Sequence, residues 1–247
     1  MAIPEYSLSI IIPTLNEEKN LSRLLSSLPI QRENVEVFIC DGGSTDATQE
    51  IAEQFSVQFI KSPRGRGQQI NAGIEHACGN LFWFLHADSV VNVEHVDAIF
   101  DCFQHHSDVL GGNFSILFDG NDEFSHWLNK FYKMIRARGI YYGDSGIFIR
   151  RAVLEMMGGM PERYLMEDYA LVRLMQTFKH RKLANVPTIN TFCIESPQIQ
   201  TSSRRFVGRA RWRIVLGWLV IHALYHLGVP DQLLASLYDS GRNRQKC

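Results

Sequence analysis

Cysteine is sparse and lacks the spacing that chemistry would need. The five cysteines (Cys40, Cys78, Cys102, Cys193, Cys247) are odd in number and contain no C-x-x-C pair. A disulfide framework is therefore not expected, a zinc site has no support, and a reducing, cytoplasmic setting is the simpler reading. An excess of one charge is also missing: the net charge is −1, so no global field calls for nucleic acid. Long apolar runs are absent. The most apolar stretch, Ile214 to Val229, has 16 residues interrupted by His222 and His226. A membrane-spanning helix needs about 20. The N-terminus carries Glu5 where a secretion signal would be basic, and its Ile10–Ile12 run is too short, so no such signal is expected.

What is present is globular material. The chain has 247 residues, 45% hydrophobic and 21% charged, too apolar for disorder and long enough for a sizeable core. The charge is unevenly spread, with a net of +6 on residues 203–247 and −7 on residues 1–202. That asymmetry points to an anionic partner near the C-terminus.

The first half alternates two periods. β-Branched or aromatic runs at Leu8–Ile12, Val35–Cys40, Val57–Ile60, Leu81–Leu85 and Asn113–Phe118 are separated by helix-period segments near Glu17–Leu28, Asp46–Phe55, Gln68–Ala77 and Glu94–Phe103. Continuous apolar strands alternating with helices predict an α/β fold whose mostly parallel, Rossmann-like sheet is covered on both faces. Thr45 or Asp46 can cap the second helix, and Asn16 with Glu17 and Glu18 opens the first. Ligand sites are then expected at the carboxyl ends of the strands. Beyond residue 120 the pattern predicts a helix near Glu123–Arg138, a short strand at Gly146–Ile149, a bend at Gly158–Gly159, a helix near Glu167–Phe178 and a mixed stretch ending near Glu195. No linker or repeat occurs. The expected organisation is one domain, residues 1–202, extended by helices over 203–247.

Two familiar motifs fail. Gly65-Arg66-Gly67 begins a dinucleotide-type G-x-G, but Ile70 holds the third glycine's place, and no P-loop string occurs. Gly143-Asp144-Ser145-Gly146 spells a protease nucleophile loop in the wrong fold class. What remains is a set of carboxylates where strands end. Asp41 ends the second strand, Asp88 follows the fourth, and Glu167 and Asp168 open a helix. With Asn16, Arg64 and Arg66 at other strand ends, they form a site suited to a nucleoside diphosphate and a hard cation, Mn²⁺ or Mg²⁺.

The strings SIIIPTLNEEKNL, CDGGSTDAT, FLHADS and MEDYAL, in this order, resemble family 2 glycosyltransferases with the GT-A fold, over about residues 7–180. The tail ALYHLGVPDQLLASLYD, with HAD and GDSGIFIRR, resembles a smaller bacterial branch linked by gene context to arsenosugar or glycolipid-like products. The resemblance implies an inverting transfer of sugar from a nucleotide-sugar donor, most simply a UDP-sugar, to an acceptor hydroxyl. By the same resemblance Pro13, Thr14, Asn16 and Glu17 cradle the nucleotide, Asp41 meets the base edge, and Arg64, Gly67, Asn71 and Gly73 belong to the loop over the diphosphate. The family's D-x-D reads His86-Ala87-Asp88 here, so Asp88 is the implied metal ligand and His86 stands where an acid usually touches the ribose. The Glu167-Asp168 pair implies Asp168 as general base, the role that a one-step displacement requires. Asp144 and Ser145 fall on the sugar and acceptor side. The Q-x-x-R-W string of processive members lacks its Gln, since the chain has Gly208-Arg209-Ala210-Arg211-Trp212, which implies single-sugar transfer. Two alternatives stay open at this point. One is a sugar-nucleotidyltransferase, although PTLNEEKN replaces its glycine-rich first loop; the other is a non-catalytic nucleotide- or lipid-binding module.

At the C-terminus Arg205, Arg209 and Arg213 fall on one helical face, beside an apolar run flanked by Trp212, Trp218 and Tyr225. This pattern suits a peripheral membrane contact through residues 203–229, where a lipid-like acceptor would sit. A helix packed back on the domain, or on a second copy in a homodimer, is the slightly favoured reading. His222 and His226 are expected to be packing residues, not ligands.

Overall fold

The computed structural model describes residues 6–179, 190–201 and 211–243. Its centre is β1 (Leu8–Thr14), buried along almost its whole length because neighbours cover both faces. β2 (Val35–Asp41), β3 (Gln58–Lys61) and β4 (Leu81–Phe84) run parallel to it, and the seven-stranded sheet has the order β3-β2-β1-β4-β6-β5-β7. β6 (Phe148–Arg150) pairs antiparallel with both β4 and β5 (Val109–Phe118), and β7 (Asn190–Thr201) closes the edge parallel to β5. The chain winds outward from β1 to β3 and then crosses back to β4. The switch point therefore lies between β1 and β4, where a parallel sheet opens a crevice at its carboxyl edge. Because β6 runs backwards, the segment entering it also arrives at that edge.

Alternation along the strands divides the core in two. Ile10, Ile12, Val37, Ile39 and Trp83 face α1 (Glu18–Ser27) and α4 (Val93–His105). Ile11, Phe38, Cys40, Phe82 and Phe84 face α3 (Arg66–His76), α6 (Arg151–Met156) and α7 (Glu167–Lys179). α3 lies so close to the sheet that a Cβ on Gly73 would stand 2.7 Å from Ile11 Cγ2 and 2.8 Å from Cys40 Sγ. Gly73 thus serves helix packing. α2 is a short helix, Thr48–Ala52, and α5 spans Glu123–Arg136.

Two elements differ from the sequence reading. The end of the expected mixed stretch, from Asn190, belongs to a twelve-residue strand, β7, while its part over 180–189 lies outside the described residues. Pro197 sits where its register with β5 slips, between the Phe114–Ile194 and Ile116–Ile199 pairs, a bulge on an edge strand where proline is tolerated. Asn16 does not cap α1 from within. Its backbone takes φ 56°, a left-handed conformation that Asn tolerates, and its Oδ1 accepts from the Thr45 amide at 2.8 Å.

α8 (Arg211–His226) and α9 (Asp231–Asn243) follow. α8 packs back on the domain: Ile214 and Trp218 join Ile116, Phe118, Phe124 and Leu128. Its other side stays open, with Trp212 and Leu219 each 62% exposed. Arg205 and Arg209 lie outside the described residues. Among the described residues no helix is long and apolar enough to cross a membrane.

Candidate functional site

The loops after β1 and β2 cap each other's helices. Thr48 Oγ1 accepts the Glu17 amide at 2.9 Å, Asp46 Oδ2 accepts the Glu18 amide at 3.1 Å, and Glu18 Oε2 accepts the Ala47 amide at 3.3 Å. Orphan donors at two helix starts are met across the sequence rather than within it. Asp41, buried at the end of β2, accepts the Gly43 and Ser44 amides at 2.9 Å each and the Ser44 hydroxyl at 2.5 Å, so it shapes the DGGS turn from inside. Thr14 is buried beside it, and Gln69 donates to the carbonyls of both Thr14 and Cys40 at 2.7 Å. Gln69 ties the strand ends together, and no sequence signal singles it out.

Across the switch point stands α7, entered through Met166 at φ 66°, a rare conformation for such a residue. It sets Glu167 and Asp168 in the first helical turn, where the helix dipole favours negative charge. Asp168 is 8% exposed; its Oδ2 accepts the Gly143 amide at 2.7 Å and its Oδ1 accepts its neighbour Tyr169's amide at 2.7 Å. Arg66 opens α3 and pairs its Nε with the buried Glu167 carboxylate, while its Nη2 lies 3.9 Å from Asp168 Oδ2. Burial raises the Glu167 pKa and the nearby Asp168 adds to this, with Arg66 pulling the other way. Burial lowers the Arg66 pKa, but Glu167 and Asp168 outweigh it and keep the guanidinium firmly charged. Arg66 Nη1 is also 3.4 Å from His86 Nε2. Gly143 lies between these groups: a Cβ there would stand 2.9 Å from His86 Nε2 and 3.1 Å from Asp168 Oδ2. His86, Arg66, Gly143, Glu167 and Asp168 thus line one small pocket with Pro13.

The remaining expected residues are more dispersed. Asp88 is exposed, and its charge reaches Glu17, whose pKa is raised first by burial and then by Asp88 and Asp46 against a lowering bond from Asn20. Arg64 is exposed on the loop before α3. Gly67 packs against the 158–162 bend, since a Cβ there would meet the Pro161 carbonyl oxygen at 2.5 Å. Asn71 is spent on that bend too, exchanging bonds of 2.9 Å with the Met160 carbonyl and amide. Asp144 is 3.5 Å from the Tyr132 hydroxyl, and the buried Ser145 hydroxyl donates to the Tyr142 carbonyl at 2.5 Å. Among the described residues no three His, Cys, Asp or Glu side chains converge as a metal site. A cation at Asp88 would therefore need most of its oxygen ligands from a bound diphosphate, which is the donor set a hard cation takes.

α8 completes the wall next to Asp168. The Tyr142 hydroxyl is 2.7 Å from His222 Nε2, and the Tyr169 hydroxyl is 3.2 Å from His226 Nε2. Tyr225 meets Tyr169 edge-on, with ring centroids 5.4 Å apart. His222 is half-buried and His226 exposed, each set against a tyrosine hydroxyl.

The model of "Glycosyl transferase family 2" matches residues 9–155, more than half of the chain. The chain belongs to glycosyl transferase family 2. It is 28% identical over 167 residues to an uncharacterized glycosyltransferase of Nostoc sp., a match that covers 60% of this chain and 52% of that protein. The chain thus spans about half the length of that curated relative. Among solved structures it is similar to a mannosyltransferase from Pyrobaculum calidifontis in complex with GDP-mannose and Mn²⁺ (TM-score 0.62, 19% identity, 88% of this chain and 63% of that one). It is also similar to the S. aureus transferase TarS in complex with UDP (TM-score 0.59, 20% identity, 79% and 60%). The fold is GT-A, as the strings predict.

Proposed function

We propose that the chain is an inverting transferase that moves one sugar from a UDP-sugar to an acceptor hydroxyl, with Asp168 as general base. The observation that carries the reading is the placement of Asp168: at the mouth of the switch-point crevice, fixed by the Gly143 and Tyr169 amides, within reach of the Arg66 cation. A direct displacement at the anomeric carbon requires one carboxylate to take the acceptor's proton as its oxygen attacks, and no covalent nucleophile. Glu167 is buried behind Arg66 and acts by positioning it, so that the guanidinium can meet phosphate oxygens. His86 lies on the same wall, where a ribose hydroxyl can bond to it. Asp88 would hold a divalent cation, Mn²⁺ or Mg²⁺, together with the diphosphate. When bound, that cation offsets the negative charge growing on the leaving group. The relatives solved with UDP and with GDP-mannose and Mn²⁺ support this choice of ligands.

The setting of the acceptor belongs to the same reading. The exposed side of α8, preceded by the basic 203–213 segment, suits reversible contact with an anionic membrane surface. A thermal-shift screen of nucleotide sugars with Mn²⁺ tests the donor assignment, because a ligand that binds only the folded state raises the melting point with RT ln(1 + [L]/Kd). A UDP-sugar is expected to give the largest rise. Equal, negligible shifts with every nucleotide sugar would refute it.

A further inference from the structure

α5 is sealed onto the sheet at one end only. Phe124 and Leu128 close its first turns against Ile116 and Phe118. Beyond them the same interface opens into a cavity of about 220 Å³ between α5, β5, β7 and the Gly143–Ser145 turn. Its floor is polar where a core would be apolar. Asn113 and Ser115, 2% and 5% exposed, alternate along β5 and so face the same side. Gln198 Nε2 donates to Ser115 Oγ at 3.0 Å from β7. The helix side is cationic. Lys130, Lys133 and Arg136 recur every third residue on one face of α5. Arg136 is anchored to Glu195 at 2.9 Å, while neither lysine forms a salt bridge among the described residues. With Glu195 the sole lining acid, the charged groups around the cavity sum to an excess of positive charge.

The cavity borders the turn that holds Asp168. Ser145 lines it, and Gly143, two residues earlier, donates its amide to Asp168. Two residues span at most about 7 Å. Tyr132 lines the cavity and reaches Asp144 in the same turn at 3.5 Å.

We propose that this cavity is the acceptor site, and that it takes a small polyol bearing an oxyanion, a phosphate above all. The oxyanion would lie on the α5 cations, the hydroxyls would bond to Asn113, Ser115 and Gln198, and the free hydroxyl would point towards Asp168. This rests on the transferase reading for its word "acceptor", but not for its chemistry. The test is calorimetry with glycerol 3-phosphate in the presence of UDP, on the wild type and on K130A/K133E, with K133R as the conservative control and thermal melts to check folding. The double variant is expected to bind glycerol 3-phosphate at least tenfold more weakly with UDP affinity unchanged, and K133R to bind like the wild type. Unphosphorylated glycerol should bind detectably worse than glycerol 3-phosphate to the wild type and to K133R. A parallel arm with phosphatidylglycerol vesicles distinguishes a lipid headgroup from a free phosphate as the source, and loss of either interaction in the double variant supports the site. Equal affinity of variant and wild type, no binding to the wild type, or displacement of glycerol 3-phosphate by UDP would overturn it. Failure of UDP alone to bind would count against the transferase reading and leave the anion site standing.

Discussion

Burial raises the Glu17 pKa and the nearby Asp88 adds to this, and among the described residues neither carboxylate forms a salt bridge. His86 in the first position of the metal motif removes a further negative charge. One carboxylate makes a poor binding site for Mn²⁺, and a diphosphate supplies what is missing. Calorimetry should therefore show weak Mn²⁺ binding to the free protein and at least tenfold tighter binding with UDP present, a gain lost in Asp88→Ala. Tight binding without UDP, or an unaffected variant, would contradict this. Asp88 stood out in the sequence because it follows an apolar strand run, and Asp168 because it opens a helix-period segment in the string MEDYAL. The Arg66–Glu167 pair did not, since its partners lie about a hundred residues apart and meet only when α3 and α7 pack on the same face of the sheet.

Helix α8 shows the same limit one level up. Its apolar character gave a helix, and its exposed and packed sides were assigned only by the fold. Nothing local pairs His222 with Tyr142, or His226 with Tyr169. The Tyr142 pKa is raised, first by burial and then by Asp168, Tyr169 and Asp144, and its hydroxyl shares a 2.7 Å hydrogen bond with His222 Nε2. Burial lowers the His222 pKa from its ordinary value of 6.5, His226 lowers it further, and Asp168 opposes both. The unfolded chain therefore takes up a proton near pH 6.5 that the folded one resists. This contribution to stability is intact above that pH and declines as the pH falls through the lower folded value. In a melting series from pH 7.5 to 5, His222→Gln should start lower and lose less than the wild type, so the curves converge. Parallel curves would show that this contact does not titrate with folding. β7 was missed for a different reason: Pro197 reads as a strand breaker, and only a bulge on an edge strand reconciles it with pairing.

For the molecule as a whole, the order of strands and helices was readable through residue 120 because parallel strands buried on both faces carry continuous apolar runs. The reversed β6 and the edge β7 were less so, being short or interrupted. The uneven charge of the chain and the open side of α8 make one further outcome expected. The protein should sediment with anionic vesicles at 0.1 M salt, scarcely with neutral ones, and much less at 1 M, as screening shortens from about 10 Å to 3 Å. Equal, negligible binding to both vesicle types, with self-association instead, would assign that face to a second copy. The central claim is that Asp168 takes the acceptor's proton, and it is tested most directly by comparing Asp168→Asn with the wild type in turnover and in UDP affinity. Asparagine keeps the shape but puts an amide N–H where one of two carboxylate acceptors met a backbone amide, so a melt must confirm that the variant is folded. The expected result is a loss of roughly 10²–10⁴-fold in kcat with UDP binding nearly unchanged. A folded variant that turns over like the wild type, or one that loses UDP binding while keeping kcat, would contradict it.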